Sequence, residues 1–327
     1  MWGETMIKKI LLSVFVVIIA AVVATVYFLG PTMGAMLVGR PIFLGHDSPK
    51  RYGEAILTLA ETQGIYADSQ DFARAKVEAQ AAIKTAETRE ELYAPLRKAV
   101  QAAGGKHSNL LTPQDNAEAE EAIAGDEQPS IDKHGDIVTV KVPAVSRKAD
   151  VQSYADTIAA GVEDAACAVV DLRGNGGGDM GPMLAGLSPF LPDGDALFFH
   201  SAMGDSPVTV DGTSTSGGGT SLSVDAQKNT DIPIAVLVDA HTASSAEATM
   251  LAFKGLENAV SFGQPTAGYA TANAVYDFPD SSSLMLTIAQ DMDRNGEVYG
   301  DEPVEPDRVV DDAAAAAQAW LLQQGCR

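Results

Sequence analysis

Ser244 stands where a catalytic nucleophile is well placed, between a predicted buried strand at 232–240 and a predicted helix at 244–256. A serine at the start of a helix lies at the positive end of the helix dipole, which stabilises an alkoxide and a neighbouring oxyanion. The backbone amide of Ser245 would be a natural donor to that oxyanion. The same spacing forms a capping box, in which Ser244 caps the helix and Glu247 reaches back to it. The serine therefore has two compatible interpretations, a helix cap and a nucleophile.

A second strand-to-helix turn is rich in glycine. The run RGNGGGDMG at 173–181 follows another predicted buried strand, CAVVDL at 167–172. Glycines permit positive φ angles and close backbone approach, and consecutive amides in such a turn can bind an anion or a developing oxyanion. A tight structural turn explains the same glycines without any chemistry.

The glycine run also permits a dinucleotide-binding interpretation. Its spacing matches GxGxxG over 176–181, and Asp205 after the next strand would be the ribose-binding acid. Against this interpretation, charged or polar residues stand where that fingerprint normally has small or apolar ones, namely Asp171, Arg173 and Asn175.

A serine nucleophile needs a general base, and histidine commonly supplies it. The chain has five histidines. Surface roles are expected for His46, near the apolar N-terminus, and for His134, in a polar turn. The residues alone do not rank the other three, which are His107, His200 and His241.

The elements that must position these residues alternate between strand and helix from about 136 onward. This alternation predicts an α/β fold with a largely parallel central sheet flanked by helices. In such sheets ligands bind beyond the carboxyl ends of the strands, which is where both turns fall. A Ser-, Thr-, Gly- and Asp-rich stretch at 204–230 is predicted to be a mobile loop, and a helix at 311–324 is predicted to close the chain.

The N-terminus is predicted to anchor the chain in a membrane. Residues 10–29 contain no charge, and twenty helical residues span about 30 Å, the thickness of a bilayer's hydrocarbon core. Lys8 and Lys9 favour an N-terminus on the inside, so the rest of the chain would be extracytoplasmic. A cleaved signal peptide is the alternative, although its apolar region is usually only about 7–15 residues long.

We therefore predict five segments in chain order. They are an anchor at 1–30, a linker at 31–47, a helical segment at 48–106, a histidine loop with an irregular connection at 107–135, and an α/β core at 136–327.

The composition narrows the possible partners. A net charge of −22 argues against nucleic acid, because binding phosphates needs clustered Lys and Arg. The charge fits either solubility or attraction of a cationic ligand. Two cysteines, Cys167 and Cys326, exclude a zinc site built from four cysteines. They form one long-range disulfide, or Cys167 packs as a free thiol in its buried strand.

Four motifs in order resemble the tail-specific (carboxy-terminal processing) serine protease family. They are VVDLRGNGGG, TASSAE, FGQPTAGYATAN and EPDRVV, and they span about 136–311. The resemblance implies an α/β protease core with Ser244 as nucleophile. The lysine of the better-known Ser–Lys members would fall 25 residues later, where this chain has Tyr269. Lys254 is expected to be a solvated helix residue.

A second difference from the better-known members, besides the missing lysine, points to one subgroup of the family. Only about thirty residues separate His107 from the first core strand, so the family's PDZ domain has no room. Together with GGKHS at 104–108, this resembles the membrane-anchored nisin resistance proteins of the family, over about 1–325. That subgroup implies His107 as general base for Ser244, with an oxyanion hole formed by the amides of Ser245 and of Gly177 or Gly178.

The same resemblance implies the substrate. It points to cleavage near the carboxyl end of a nisin-like lanthipeptide, a cationic peptide with thioether rings. Asp179 and Met180 would line the peptide cleft, and Glu247 would hold the peptide or the turn. No metal or cofactor is expected. The alternatives are a protease for another exported peptide or protein, and a non-catalytic lanthipeptide binder.

Overall fold

The computed structural model describes residues 2–123 and 127–327. The chain divides into two compact units, each built from separate pieces of sequence. The first unit comprises Met1–Ala117 with Asn273–Thr287, and the second comprises Glu118–Ala272 with Ile288–Arg327. The N-terminal part thus incorporates a later stretch of chain that no sequence pattern indicated.

The first unit begins with the helix α1 (Trp2–Val38). Among the described residues it is the one helix long and apolar enough to cross a membrane, over Leu11–Val38. The prediction of a linker at 31–47 is wrong in its first half, because the helix continues through Pro31. Its glycine and proline content suggested an irregular chain, but Gly30 and Gly34 instead let a following segment pack closely on the helix.

Three amphipathic helices form the body of the first unit, α2 (Pro49–Gln63), α3 (Gln70–Thr85) and α4 (Glu90–Gly104). Ser48 and Ser69 cap the first two, since each hydroxyl accepts a backbone amide of the first turn. All three helices lie within the helical segment predicted at 48–106. Its buried face is aliphatic and aromatic, and includes Ile56, Leu59, Phe72, Ile83, Leu92 and Leu96.

Strands complete the first unit. The short β1 (Asn109–Leu111) pairs antiparallel with the start of β12 (Ser283–Asp293), and β11 (Thr271–Asp277) also pairs with β12. After β1 comes α5 (Pro113–Ile123), so the irregular connection predicted at 107–135 is wrong over this helix. The acid-rich composition suggested a coil, but Pro113 suits a first helical position. Residues 124–126 of that connection lie outside the described residues.

The second unit is built on a parallel sheet, as predicted. Its strands follow the order β13-β10-β9-β4-β3-β2, and all neighbouring pairs are parallel except β2 with β3. In chain order the strands are β2 (Ser130–His134), β3 (Ile137–Lys141), β4 (Cys167–Asp171), β9 (Ile234–Val238), β10 (Ala259–Gly263) and β13 (Arg308–Val309).

Helices cover both faces of this sheet. One apolar core joins alternate strand residues to α6 (Val151–Val162), α7 (Met180–Leu187) and α8 (Ser245–Phe253). A second core joins the other strand residues to α9 (Ala313–Gln323) through Trp320. Strands β4 and β9 are buried over their whole length, which is why each is a continuous apolar run.

The mobile loop predicted at 204–230 is wrong in part. After β5 (Gly194–Ser201), the chain forms β6 (Gly204–Asp211), β7 (Ser214–Ser216) and β8 (Leu222–Ser223), a meander whose neighbours pair antiparallel. Polar residues dominate this stretch, but the alternate residues Val208 and Val210 are buried. That period of two is the strand signal the composition obscured.

A disulfide joins Cys167, at the start of β4, to Cys326, the residue before Arg327, across a sequence separation of 159. Of the two states left open for Cys167, the paired one is therefore found. The backbone of Arg327 is also held, because the amide of Asp136 donates to its carbonyl oxygen at 2.7 Å. Both contacts fix the carboxyl end of the chain against the strands of the second unit.

Candidate active site

Ser244 has a strained backbone at the junction of β9 and α8. Its φ and ψ are 57° and −121°, a region that non-glycine residues rarely occupy. Such strain costs about 1–3 kcal/mol and persists only where surrounding contacts enforce it, commonly at functional sites. A sharp strand-to-helix turn of this kind is how several hydrolases present a nucleophilic serine. The side chain stands half-buried at the carboxyl edge of the sheet.

The buried carboxylate of Glu247 enforces this turn. It accepts hydrogen bonds from the amide of Ser244 at 2.8 Å, the amide of Gly268 at 2.9 Å and the amide of Tyr269 at 2.8 Å, and a fourth from the Thr266 hydroxyl. Burial raises the pKa of Glu247, while its four donors oppose that rise. The predicted capping contact from Glu247 to the Ser244 amide is confirmed, and it also ties the nucleophile turn to the loop containing Tyr269.

The glycine turn after β4 packs directly on the turn at Ser244. A Cβ added to Gly177 would lie 2.8 Å from the Cβ of Ser244 and 3.1 Å from the amide nitrogen of Ser245. Hydrogen bonds join the turns, since the Ala243 amide donates to the carbonyl of Asn175 at 2.9 Å. Glycine is therefore required at 177 for close approach as well as for its φ of 102°.

The three backbone amides predicted to form an oxyanion hole differ in whether the protein already engages them. The amide of Gly177 donates to the side-chain oxygen of Asn175 at 2.8 Å, so it is already engaged. Within the described ranges, the amides of Gly178 and Ser245 donate to no protein acceptor. The Ser245 hydroxyl donates to the carbonyl of Gly178 at 2.7 Å, which fixes these two residues together. Of the three amides predicted to form an oxyanion hole, those of Gly178 and Ser245 are therefore the ones not engaged by the protein.

Asp179 and Met180 are both buried, with exposed fractions of 1% and 4%. The carboxylate of Asp179 caps α7 at Gly181 and also accepts from the amide and hydroxyl of Thr220, at 2.9 and 2.5 Å. Hydrogen bonds to Gly181 and Thr220 thus already engage the Asp179 side chain. Contact of these two residues with a peptide stays a prediction, and for Asp179 it would have to use backbone atoms.

His107 lies in the first unit, just after the end of α4. Gly105 ends that helix with a φ of 79°, and the half-buried His107 follows two residues later. Burial, with a smaller contribution from the charge of Lys106, lowers the pKa of His107 to about 4. The imidazole is therefore neutral at pH 7, the state a general base requires.

A buried chain of polar groups fixes the residue after His107. The Ser108 hydroxyl accepts the amide of Thr287 at 2.8 Å and donates to its hydroxyl at 3.1 Å. The Thr287 hydroxyl in turn donates to the side-chain oxygen of Asn273 at 2.7 Å. A Cβ at Gly104 would overlap the Ser108 hydroxyl, which explains a glycine there. Sequence reasoning missed Asn273 and Thr287, because nothing in their spacing relates them to Ser108.

The two other candidate histidines have simpler surroundings. His200 is exposed and pairs with Asp205 at 2.6 Å across the β5–β6 hairpin. His241 is exposed near Asp239. Lys254, expected to be a solvated helix residue, caps the carboxyl end of α8, and its Nζ forms an ion pair with Asp307 at 3.6 Å.

A second buried acid lies near Glu247 and was also missed. Asp291 on β12 is 1% exposed, its amide donates to the carbonyl of Ala270 at 3.0 Å, and its Oδ1 has no hydrogen-bond partner in the described chain. Burial, then the nearby Glu247 charge, raises the pKa of Asp291 well above its usual value. The four donors around Glu247 favour its charged form, whereas burial and the Glu247 charge disfavour the charged form of Asp291.

The geometry does not favour the dinucleotide interpretation. A Cβ at Gly181 would overlap the backbone of Thr220, so this glycine serves packing within the protein. Asp205, the expected ribose-binding acid, is instead paired with His200. In the part of the chain that the structure describes, no group of three or more His, Cys, Asp or Glu side chains is arranged to hold a metal ion.

Comparison with known proteins identifies the family of this chain. The profile of Peptidase family S41 matches residues 136–310, which is more than half of the chain. The chain therefore belongs to peptidase family S41, and the predicted kinship with tail-specific serine peptidases is confirmed.

Individual relatives extend the similarity to the N-terminal part. The chain is 31% identical to the nisin-resistance protein of Lactococcus lactis subsp. lactis over 288 residues, covering 86% of this chain and 90% of that one. The structure of a lipoprotein from Streptococcus agalactiae superposes with a TM-score of 0.74 at 28% identity, covering 86% of this chain and 99% of that one. A photosystem II D1 C-terminal processing protease shares the fold, with a TM-score of 0.58 at 14% identity, over 81% of this chain and 94% of that one.

Proposed function

We propose that this protein is a membrane-anchored, extracytoplasmic serine peptidase in which Ser244 is the nucleophile and His107 is its general base. The observation that carries the proposal is the strained Ser244 turn, held by Glu247 and packed on a glycine turn. The amide of Gly178 in the glycine turn and the amide of Ser245 beside the nucleophile are both available. Membership of peptidase family S41 supports the reaction class. The neutral state of His107 supports its role as base.

In this mechanism His107 accepts the Ser244 proton while the Ser244 oxygen attacks the scissile carbonyl carbon. The amides of Gly178 and Ser245 stabilise the resulting oxyanion, and the dipole of α8 adds to the same field. The protonated His107 then donates its proton to the leaving amine. Water, activated by His107, releases the acyl group and regenerates Ser244.

For the substrate we infer a cationic lanthipeptide of the nisin type, cut near its carboxyl end. The similarity to the nisin-resistance protein of Lactococcus lactis supports this class. The net charge of −22 is complementary to a cationic peptide and would raise its local concentration. Because salt screens such attraction, we expect added salt to raise KM more than it lowers kcat.

The membrane orientation has two supports. Lys8 and Lys9 precede the apolar span Leu11–Val38 of α1, which favours a cytoplasmic N-terminus. The disulfide between Cys167 and Cys326 fits an oxidising compartment outside the cytoplasm.

The test uses the full-length protein in detergent or nanodiscs, incubated with nisin, and mass spectrometry of the products. We expect one cleavage product with wild type and at least about a 10³-fold loss with Ser244→Ala or His107→Gln. His241→Gln, which changes an exposed histidine, is the matched control and should retain full activity. Intact nisin with wild type, or equal cleavage by Ser244→Ala, would contradict the proposal.

A peptide library incubated with the same protein separates the substrate from the reaction class. Cleavage of other exported peptide tails with nisin left intact would retain the serine peptidase and reject the lanthipeptide. Binding of nisin that Ser244→Ala does not alter, without any product, would indicate a non-catalytic binder instead.

A further inference from the structure

Helix α1 is tied directly to the folded part of the first unit at Tyr27. Pro31 lies four residues later in the helix and has no N–H, so the Tyr27 carbonyl lacks its helical partner. Arg51 of α2 supplies the missing donor, since its Nη2 lies 2.7 Å from that oxygen. The Arg51 guanidinium also stacks 4.1 Å from the centre of the Tyr27 ring. The helix therefore joins the domain through specific contacts rather than a flexible spacer.

Beyond α1 the chain reverses and runs back along the helix. Gly39 makes the turn with a φ of 70°. The amide of Ile42 then donates to the carbonyl of Gly30 at 3.1 Å, and a Cβ at Gly30 would lie only 2.6 Å from the Ile42 carbonyl oxygen. Arg51 also donates to the carbonyl of Leu44 at 3.1 Å. Residues 41–44 thus return to the level of Gly30 and Tyr27.

Two independent arguments place Tyr27 and Gly30 at the boundary between the hydrocarbon core and the outer headgroups. A helix that leaves the cytoplasmic side after Lys9 crosses the hydrocarbon core of about 30 Å at about residue 29. Tyrosine is enriched where hydrocarbon meets water, and a charged guanidinium is expelled from hydrocarbon, so Tyr27 and Arg51 mark the same boundary. Both arguments agree to within one turn of helix.

The returning segment presents apolar side chains outward at this level. Ile42 is 48% exposed and Leu44 is 40% exposed, and α1 is also apolar and exposed at this level, with Leu29 52% exposed. Exposed apolar residues continuous with a membrane-spanning surface fit the interfacial layer of a bilayer better than water.

We propose that residues 41–44 form an interfacial loop that inserts Ile42 and Leu44 among the headgroups of the outer leaflet of a phospholipid bilayer. The first unit would then sit directly on the membrane surface. This inference rests on membrane anchorage through α1 and is independent of peptidase activity, so either proposal can fail without the other.

Single-cysteine variants of the full-length protein test the loop. Ile42→Cys and Leu44→Cys would each be labelled with the fluorophore NBD after reconstitution in phosphatidylcholine–phosphatidylglycerol vesicles. The native Cys167 and Cys326 form a disulfide and do not react. Two labelled controls calibrate depth, Val22→Cys in the middle of the α1 span and Val77→Cys on the exposed face of α3, whose side chains are 56% and 65% exposed in the protein.

Lipids brominated near the carbonyl end or near the methyl end of their chains would then quench the label according to its depth. We expect labels at 42 and 44 to be quenched at least twofold more by the shallow bromines than by the deep ones. The label at 22 should be quenched more by the deep bromines, and the label at 77 should not be quenched. Labels at 42 and 44 that stay unquenched, or that behave like Val22, would overturn the proposal. So would efficient disulfide crosslinking between two Ile42→Cys chains, which would show a second copy covering the segment.

Discussion

The backbone amide of Ser244 donates a 2.8 Å hydrogen bond to the buried carboxylate of Glu247. Because the same carboxylate binds the amides of Gly268 and Tyr269, the conformation of Ser244 depends on a loop about 25 residues further along the chain. That loop therefore positions Ser244 through its backbone amides.

Glu247→Gln should impair both activity and stability. The new NH₂ group would face backbone donors where an oxygen now accepts, leaving buried groups unpaired at about 1–3 kcal/mol each. We expect at least a tenfold fall in kcat and a lower melting temperature. Glu257→Gln, a change of an exposed glutamate close by in sequence, is the control and should alter neither. Wild-type kinetics of Glu247→Gln would contradict the positioning role.

Gly177→Ala should block the site sterically. Its Cβ would lie 2.8 Å from that of Ser244 and 2.9 Å from the Ala243 carbonyl oxygen, at a φ of 102° that alanine disfavours. We expect loss of most peptidase activity, measured on nisin or on a peptide that the wild type cleaves. Gly176→Ala is a matched control, because a Cβ at Gly176 meets open space. Equal effects of the two substitutions would show that the packing of Gly177 on Ser244 is unimportant.

Thr287→Val should lower kcat with little change in KM, if the polar chain beside His107 positions the base. Valine preserves the shape but removes the hydroxyl that accepts from Ser108 and donates to Asn273. Thr287→Ser keeps the hydroxyl and should restore kcat to within about threefold of wild type, a difference of about 0.7 kcal/mol. A fall in kcat that the serine variant does not rescue would instead indicate a packing effect of the missing methyl group.

The pH profile of kcat/KM should have an unusually acidic lower limb. Burial lowers the pKa of His107 to about 4, so the neutral base persists well below pH 6.5 and activity should fall only as the pH drops through about 4. Lys106→Gln should move this limb to higher pH, because removing a nearby positive charge raises the pKa of the imidazole. A limb near pH 6.5 in the wild type would contradict a buried base.

Reduction of the disulfide should destabilise the second unit. Loop closure over a separation of 159 residues corresponds to a stabilisation of up to about 5 kcal/mol in the chain-entropy account, with about 2–4 kcal/mol usual. We expect the paired variant Cys167→Ser with Cys326→Ser to unfold at lower denaturant concentration than wild type. Identical unfolding midpoints for wild type with and without reductant would show that the crosslink adds no stability.

Local patterns in the sequence determined much of the second unit. Continuous apolar runs predicted β4 and β9, because strands covered on both faces need no polar alternation. The turns after those strands could be placed at one edge of the sheet, because parallel strands end together. Ser244, its capping glutamate and the glycine turn were therefore accessible from residue type and spacing alone.

The sequence indicated less about segments whose structure depends on distant partners. The stretch at 204–230 reads as a loop by composition, yet β6 forms because Val208 and Val210 find a core to enter. Residues 31–38 read as a linker, yet they remain helical where Arg40 and Ile42 of the returning chain pack against Gly34. Composition records local preference, and tertiary contacts override it.

The residue pattern alone predicted an apolar N-terminal helix and an α/β serine peptidase core, and it singled out Ser244 as the candidate nucleophile. The folded chain was needed to show the strained φ of Ser244, the hydrogen bond that engages the Gly177 amide, the pairing of Cys167 with Cys326, and the polar chain from Ser108 to Asn273. The physical reason is that residue types and short spacings specify helices, strands and turns. Hydrogen bonds and burial between residues far apart in the chain exist only once those elements have packed.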